Sequence, residues 1–258
     1  MFVAPFLFFI MSRLYTSLSS VYEAMYQTFI NYEEEFVFYE SIRNQYKAAS
    51  VLELGCGTGN MAPLFLQAGC IYTGTDISEH MLAIAKQKHK NAVFVKADMR
   101  DFELQQKFDF CLAAGRTVSY LVTDEDVWNC FKTVSSHMNE NGIFCFDFID
   151  ASRFIPLIAQ EKEVVHEAFH EQIQYKRSSF WKINAAQSFT FHWHSAFYEL
   201  KENGEAIFLG DDESTIRAFT KDDIGLFLQC SGFQVLNFIN KASYAFDTFV
   251  VIAQKTTN

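Results

Sequence analysis

VLELGCGTGN, residues 51–60, is an apolar run that stops in three alternate glycines, Gly55, Gly57 and Gly59. A strand followed by a glycine turn and a helix serves several chemistries. A phosphate-binding loop needs G-x-x-x-x-G-K-[ST], and no Lys-Ser or Lys-Thr follows these glycines. The nicotinamide fingerprint G-x-G-x-x-G places its third glycine at position 60, which is Asn60. What stands here is E-x-G-x-G-x-G, with Glu53 two residues before Gly55.

Working outward, Asn31 and Glu34 form a candidate capping box for a helix to about Tyr46, with Phe36, Tyr39, Ile42 and Tyr46 at helical spacing. SVLELG reads as a strand, NMAPLFLQA as a helix closed by Gly69, and CIYTGTD as the next strand. Ser78 can cap the helix EHMLAIAKQKHK; AVFVKAD and FDFCLAA follow. Thr123 caps a helix from about Asp124 to Met138, and GIFCFDFI is a fifth strand. These strands are apolar on both faces, which implies a parallel sheet covered on both sides, with ligands at the strands' carboxyl ends. The pattern breaks after Ile149. SFTFHWHSAFYEL alternates, with Phe189, Phe191, Trp193 and Phe197 on one face and Thr190, His192, His194 and Tyr198 on the other. Segments near 163–181, 186–201 and 205–217, with KENGEA as a turn, predict a small inserted antiparallel sheet. The helix KDDIGLFLQC and the hairpin FQVLNFI/AFDTFVVIAQK return to the main fold. The expected fold is α/β and doubly wound (Rossmann-like), a mostly parallel seven-stranded sheet with a final antiparallel hairpin. The expected division is an N-terminal helical segment over 1–47, a core over 48–150 and 215–258, and an insertion over 151–214.

A net charge of −10 and a pI near 5.2 disfavour a nucleic-acid partner, which requires a basic footprint, and point to a small molecule. The six cysteines are scattered with no C-x-x-C pair, as buried thiols in a reducing cytoplasm are. His192 and His194 could share a strand face as metal ligands, but no third ligand stands in register, so no metal is expected. MFVAPFLFFI lacks a positive n-region and a cleavage site and is too short to span a bilayer, so neither export nor a membrane is expected. A start assigned ten residues early, with Met11 opening the protein, is the preferred explanation; an extra packed segment is the alternative.

With these pieces in order, the chain resembles the class I S-adenosylmethionine-dependent methyltransferases over about 20–150 and 215–255. The likeness rests on LELGCGTGN, GTDIS, VKADMRDF, FDFCLAAG and IRAFTKDDIGLFLQCSGF. It implies S-adenosylmethionine as cofactor and S-adenosylhomocysteine as product. Gly55, Cys56, Gly57 and Asn60 would form the turn against ribose and methionine, with Glu53 near the amino-acid end. Asp76 would accept both ribose hydroxyls and Asp98 the adenine amino group. The Met99 N–H would meet the neighbouring ring nitrogen, Ile77 and Met81 would sandwich the ring, and Ala114 would close the site.

More narrowly, the chain resembles small-molecule N-methyltransferases, including nucleotide-linked amino-sugar N,N-dimethyltransferases. The features are Tyr22 and Tyr26 in VYEAMY, the run ADMRDF, and an insertion containing HW. This implies an N-terminal segment acting as a lid and Tyr22 and Tyr26 flanking the sulfonium. Tyr120 stands where several relatives carry a histidine. A tyrosine, with an ordinary pKa of about 10, orients better than it deprotonates, which favours an amine acceptor. Arg116 is either a ligand for an anionic substrate group or a solvated side chain, and His192 is a candidate substrate contact in the insertion. O-methylation of a carboxylate or hydroxyl and a non-catalytic cofactor-binding subunit are the alternatives. The protein is expected to be a monomer or homodimer.

Overall fold

The run at 50–54 is the first strand of a seven-stranded sheet in the computed structural model, which describes residues 12–160, 162–187, 189–243 and 245–256. The expectation for residues 1–10 falls outside the described residues. In chain order, helices α1 (Ser19–Phe29) and α2 (Tyr32–Gln45) precede β1 (Ser50–Leu54), α3 (Ala62–Gln67), β2 (Ile71–Asp76), α4 (Glu79–Lys88) and β3 (Val93–Lys96). Then come β4 (Phe108–Ala113), α5 (Asp124–Ser136), β5 (Met138–Phe148) and α6 (Ala151–Ile158). Four strands follow: β6 (Val164–His170), β7 (Ile173–Ile183), β8 (Thr190–Leu200) and β9 (Ala206–Arg217). Helix α7 (Lys221–Cys230), β10 (Phe233–Lys241) and β11 (Thr248–Lys255) close the chain.

The main sheet has the order β10-β11-β5-β4-β1-β2-β3. Strands β1 to β5 run parallel, and β11 is antiparallel to both of its neighbours. Each central strand sends alternate residues into opposite layers. Leu52, Leu54, Cys111, Phe144 and Phe146 pack with Val127, Phe131, Ile224 and Leu228 beneath α5 and α7. Val51, Phe110, Leu112 and Cys145 pack with Ile42, Phe65 and Leu82 beneath α2, α3 and α4. That double burial is why these strands read as unbroken apolar runs. The chain order reverses between β1 and β4, which opens a crevice at their carboxyl ends.

The caps follow the expectation at Ser78 and Thr123, whose side chains accept from the N–H groups of Met81 and Asp126. Asn31 caps α2 by accepting from Glu33 and Glu34, while the Glu34 carboxylate accepts from the Asn31 amide at 2.8 Å. Three features differ from the sequence reading. Strand β5 begins at Met138, four residues early, because the β4–β5 ladder restarts after an irregularity between Phe108 and Phe110. Helix α6 was not expected; it holds Pro156 within eight residues capped by Asp150. The segment near 163–181 resolves into two strands, β6 and β7, joined by a tight turn. Its turn uses Glu171 and Gln172 at φ +46° and +69°, conformations normally signalled by glycine or asparagine.

The four inserted strands form a separate antiparallel sheet, β6-β7-β8-β9. Its inner face is covered at two ends. Phe197 and Ala168 pack with Leu14, Leu18, Met25 and Tyr26 of the N-terminal segment. Phe191 and Ile216 pack with Phe154 and Ile158 of α6. Phe189 does not share that face; it precedes β8 at φ +60° and is 40% exposed. Among the described residues, no helix is long and apolar enough to cross a membrane.

Candidate active site

Gly55 and Gly59 hold left-handed backbone, at φ +65° and +73°. A Cβ on Gly55 would stand 2.6 Å from Thr117 Cγ2, and one on Gly59 would stand 2.6 Å from Phe94 Cζ. The two glycines therefore let the turn press against the loop after β4 and against β3, and they keep its backbone bare toward the crevice.

Glu53, Asp76 and Asp98 stand at or just beyond the ends of β1, β2 and β3, which are neighbours in the sheet. Asp76 accepts from Gly57 N–H at 2.9 Å and Ser78 N–H at 2.8 Å. Burial raises its pKa, and those backbone bonds oppose the shift. A carboxylate offers about four acceptor positions, more than the backbone takes up here, so Asp76 can still accept from a ligand hydroxyl. Glu53 is buried and accepts from Tyr72 Oη at 2.5 Å. Burial pushes its carboxyl up to about 7, with the Asp76 charge adding and the Tyr72 bond opposing. Burial also raises the Asp98 carboxyl, but Arg100, at 2.6 Å, outweighs it and holds the group below its ordinary value. Arg100 reaches on to Asp126 of α5 at 2.9 Å. Met81 is buried under the turn, 3.4 Å from where a Gly57 Cβ would stand. Ile77 and Met99 are partly buried, Cys56 is buried, and the Ala114 carbonyl accepts from Thr117 Oγ1 at 2.7 Å.

Helix α1 is fastened to this turn. Glu23 accepts from Thr58, Lys88 and Gln27, and Asn60 Oδ1 accepts from Gln27 and Lys88 at 2.8 and 2.6 Å. Asn60, expected at the cofactor, is thus also part of the α1 anchorage. The Ser78 hydroxyl donates to the Tyr15 carbonyl, and Tyr15 Oη lies 2.6 Å from Tyr120 Oη. Tyr22 and Tyr26 stack with centroids 4.0 Å apart.

These tyrosines line a cavity of about 400 Å³. Gly115, Arg116 and Asp147 bring the ends of β4 and β5 to it, and Arg177, Trp181 and Trp193 bring the small sheet. Arg116 is no solvated side chain. At φ +64° it donates its own N–H to Asp147 Oδ1 at 2.7 Å, and its guanidinium donates to Ser243 and lies 4.1 Å from the Phe246 ring centroid. Burial raises the Asp147 carboxyl, and Arg116 opposes the shift. Tyr22, Tyr26, Tyr120 and Arg116 are therefore brought together. His192 is not: it projects from the other face of β8, exposed, 3.4 Å from Thr215 Oγ1, and its neighbour Trp193 reaches the cavity instead. Sequence reasoning missed Tyr15, Asp147, Arg177 and Trp181. Asp147 carried a signal, a lone carboxylate inside an apolar strand. Tyr15 carried none.

Residues 51–142, the span that holds the glycine turn and Asp76, match the methyltransferase-domain family. These residues form a methyltransferase domain, and the fold around them is that of the class I S-adenosylmethionine-dependent methyltransferases. The methyltransferase is 29% identical over 189 residues to the inferred methyltransferase YqeM of Bacillus subtilis (strain 168), covering 72% of this chain and 73% of that one. It is 31% identical over 97 residues to dTDP-3-amino-3,4,6-trideoxy-alpha-D-glucopyranose N,N-dimethyltransferase of Streptomyces venezuelae, covering 38% of this chain and 41% of that one. Its fold is similar to that of S-adenosylmethionine-bound CalS10, an amino pentose methyltransferase from Micromonospora echinaspora. The TM-score is 0.76 at 18% identity, over 93% and 97% of the two chains. The bare turn and the open acceptor positions of Asp76 fit the nucleoside of that cofactor. Among the described residues, no three His, Cys, Asp or Glu side chains gather to hold a metal ion.

Proposed function

We propose that this methyltransferase acts, without a metal, on an amine of a small metabolite bound in the 400 Å³ cavity. The observation that carries this reading is Asp147, a buried carboxylate on the cavity wall at the end of β5, beside the Arg116 loop. S-adenosylmethionine supplies an electrophilic methyl on a sulfonium. Asp76, Glu53 and Asp98 would hold its polar groups, and Met81 would pack beneath it. Methyl transfer needs in-line alignment and exclusion of water, and ordering the two reactants contributes roughly 7–11 kcal/mol. An amine needs little more than a carboxylate to accept its N–H and take up the proton it sheds. A hydroxyl needs a stronger base, and the cavity presents tyrosines where a histidine would serve. The Tyr15–Tyr120 hydroxyl pair, at 2.6 Å, can orient the amine lone pair toward the methyl. The names of the amino-sugar and amino-pentose methyltransferases above support the same acceptor chemistry. All six cysteines are free and five are buried, which accords with a cytoplasmic enzyme.

The test is release of S-adenosylhomocysteine on incubation with matched panels of small amines, alcohols and carboxylic acids, with mass analysis of the product. Turnover of amines, with the methyl on nitrogen, is expected. Turnover confined to alcohols or acids would replace this reading by O-methylation.

A further inference from the structure

Arg177 is 2% exposed, yet it lines the cavity from β7. Its Nη1 donates to Tyr26 Oη at 2.9 Å, and its Nη2 contacts His166 Nδ1 at 3.1 Å. The rings of Tyr26, Phe29 and Trp193 surround it, with centroids 5.7, 5.7 and 5.8 Å from the guanidinium carbon. Burial, then the Arg177 charge, pushes the His166 imidazole down to about 4, so its Nδ1 accepts from Arg177 as a neutral ring. A guanidinium is a planar cationic fork whose geometry matches two oxygens. A second donor stands beside it. The Trp193 indole N–H is buried, on a side chain that lines the cavity, with no acceptor among the described residues.

The glutamates of the lining are committed elsewhere: Glu35 pairs with Lys241 and Glu34 accepts from the Asn31 amide, while Asp147 accepts the Arg116 N–H with one oxygen, Oδ1. The cavity is thus polarised, with a carboxylate at the end of β5 and a buried cation among aromatic rings under the small sheet. In such low-dielectric surroundings a charge-assisted hydrogen bond to an oxyanion is strong.

We propose that the methyl acceptor is an amine that also carries an oxyanion, a carboxylate or a phosphoryl group, and that Arg177 with the Trp193 N–H forms the subsite for it. This rests on the reading of the cavity as the acceptor pocket. The acceptor class is then a small zwitterion, with its amine at Asp147 and its anion at Arg177. Arg177 determines specificity, and a neutral amine of the same shape is a poor acceptor.

Trp181 and Trp193 line the cavity, so their fluorescence reports its occupancy; Trp128, 38% exposed on α5, gives a constant background. Protein saturated with S-adenosylhomocysteine is titrated with acetate, inorganic phosphate and acetamide. Saturable quenching by acetate or phosphate and none by acetamide is expected, and the better anion identifies the group the subsite takes. Arg177→Gln should weaken anion binding by about tenfold or more, the loss of one charge-assisted hydrogen bond. Arg177→Lys, which keeps the buried charge but not the fork, should fall between. Equal quenching by acetamide and acetate in the unaltered protein overturns the proposal without recourse to a variant. Unchanged anion binding in Arg177→Gln overturns it too. A parallel loss of S-adenosylhomocysteine affinity in that variant overturns it as well, by assigning Arg177 to the cofactor's own carboxylate. If the unaltered protein fails to bind S-adenosylhomocysteine at all, the cofactor assignment fails first, a result separate from these.

Discussion

Asp76 holds the glycine turn with one oxygen and the Ser78 N–H with the other, and still has acceptor capacity. Asp76→Ala should weaken S-adenosylhomocysteine binding by roughly 1–3 kcal/mol in titration calorimetry, since the hydroxyls lose a charged acceptor; unchanged affinity would remove Asp76 from the nucleoside site. Glu53 gives a pH dependence. Its folded-state pKa of about 7 lies above the ordinary 4.5, so between those values the native protein holds a proton that the unfolded chain has lost. Stability of the ligand-free protein must therefore fall as pH rises across that window, by at most about 3 kcal/mol from this group. Glu53→Gln should flatten that part of the slope in denaturant titrations run from pH 4.5 to 7; an unchanged slope contradicts the assignment. Tyr120→Phe keeps the ring and removes the hydroxyl that meets Tyr15. Turnover should drop while cofactor affinity stays, as for an interaction realised in the transition state. Wild-type turnover would reduce Tyr120 to a packing aromatic. Glu53 and Asp76 were legible in the sequence because each is placed by the strand it ends and the turn that follows. Tyr15 and Arg177 were not, because the partners that place them, Tyr120 and Tyr26, lie 105 and 151 residues away.

Among the elements, β8 shows both the power and the limit of alternation. The period of two placed Phe191 and Phe197 on the covered face, and both are buried. It equally placed His192 on the opposite face, so Trp193 is the residue to test. Trp193→Ala should raise acceptor KM roughly tenfold, through lost aromatic contact worth about 1.4 kcal/mol, with S-adenosylhomocysteine affinity kept as the check on folding. His192→Ala should change neither, and a large effect on KM would mean that the acceptor reaches the outer face. The hairpin β6–β7 escaped notice because Glu171 and Gln172 make a tight turn without the residues that advertise one. Helix α6 escaped because eight residues with a proline inside are too short to show a clear helical period. By contrast, the five parallel strands were legible as a set. Burial on both faces removes every polar interruption, and caps such as Thr123 mark where helices begin.

At the scale of the whole molecule, the proposed cofactor residues and the cavity proposed for the acceptor meet through α1, which is tied to the glycine turn by Glu23 and to the small sheet by Tyr26. S-adenosylhomocysteine should therefore slow hydrogen exchange in residues 19–29 as well as in 55–60; protection limited to the turn would show that α1 is not coupled to the cofactor. The cavity itself is assembled from stretches far apart in the chain: tyrosines before residue 30, the ends of β4 and β5, and the inserted sheet. Of these, only the end of β4 and its loop, with Gly115, Arg116 and Tyr120, lies within the span shared with the methyltransferase-domain family. In evolutionary terms the molecule is two loosely linked ledgers of mutation. Drift in the inserted sheet can change the acceptor while the nucleoside grip stays under unaltered selection, so one ancestral scaffold can give rise to enzymes with unrelated substrates.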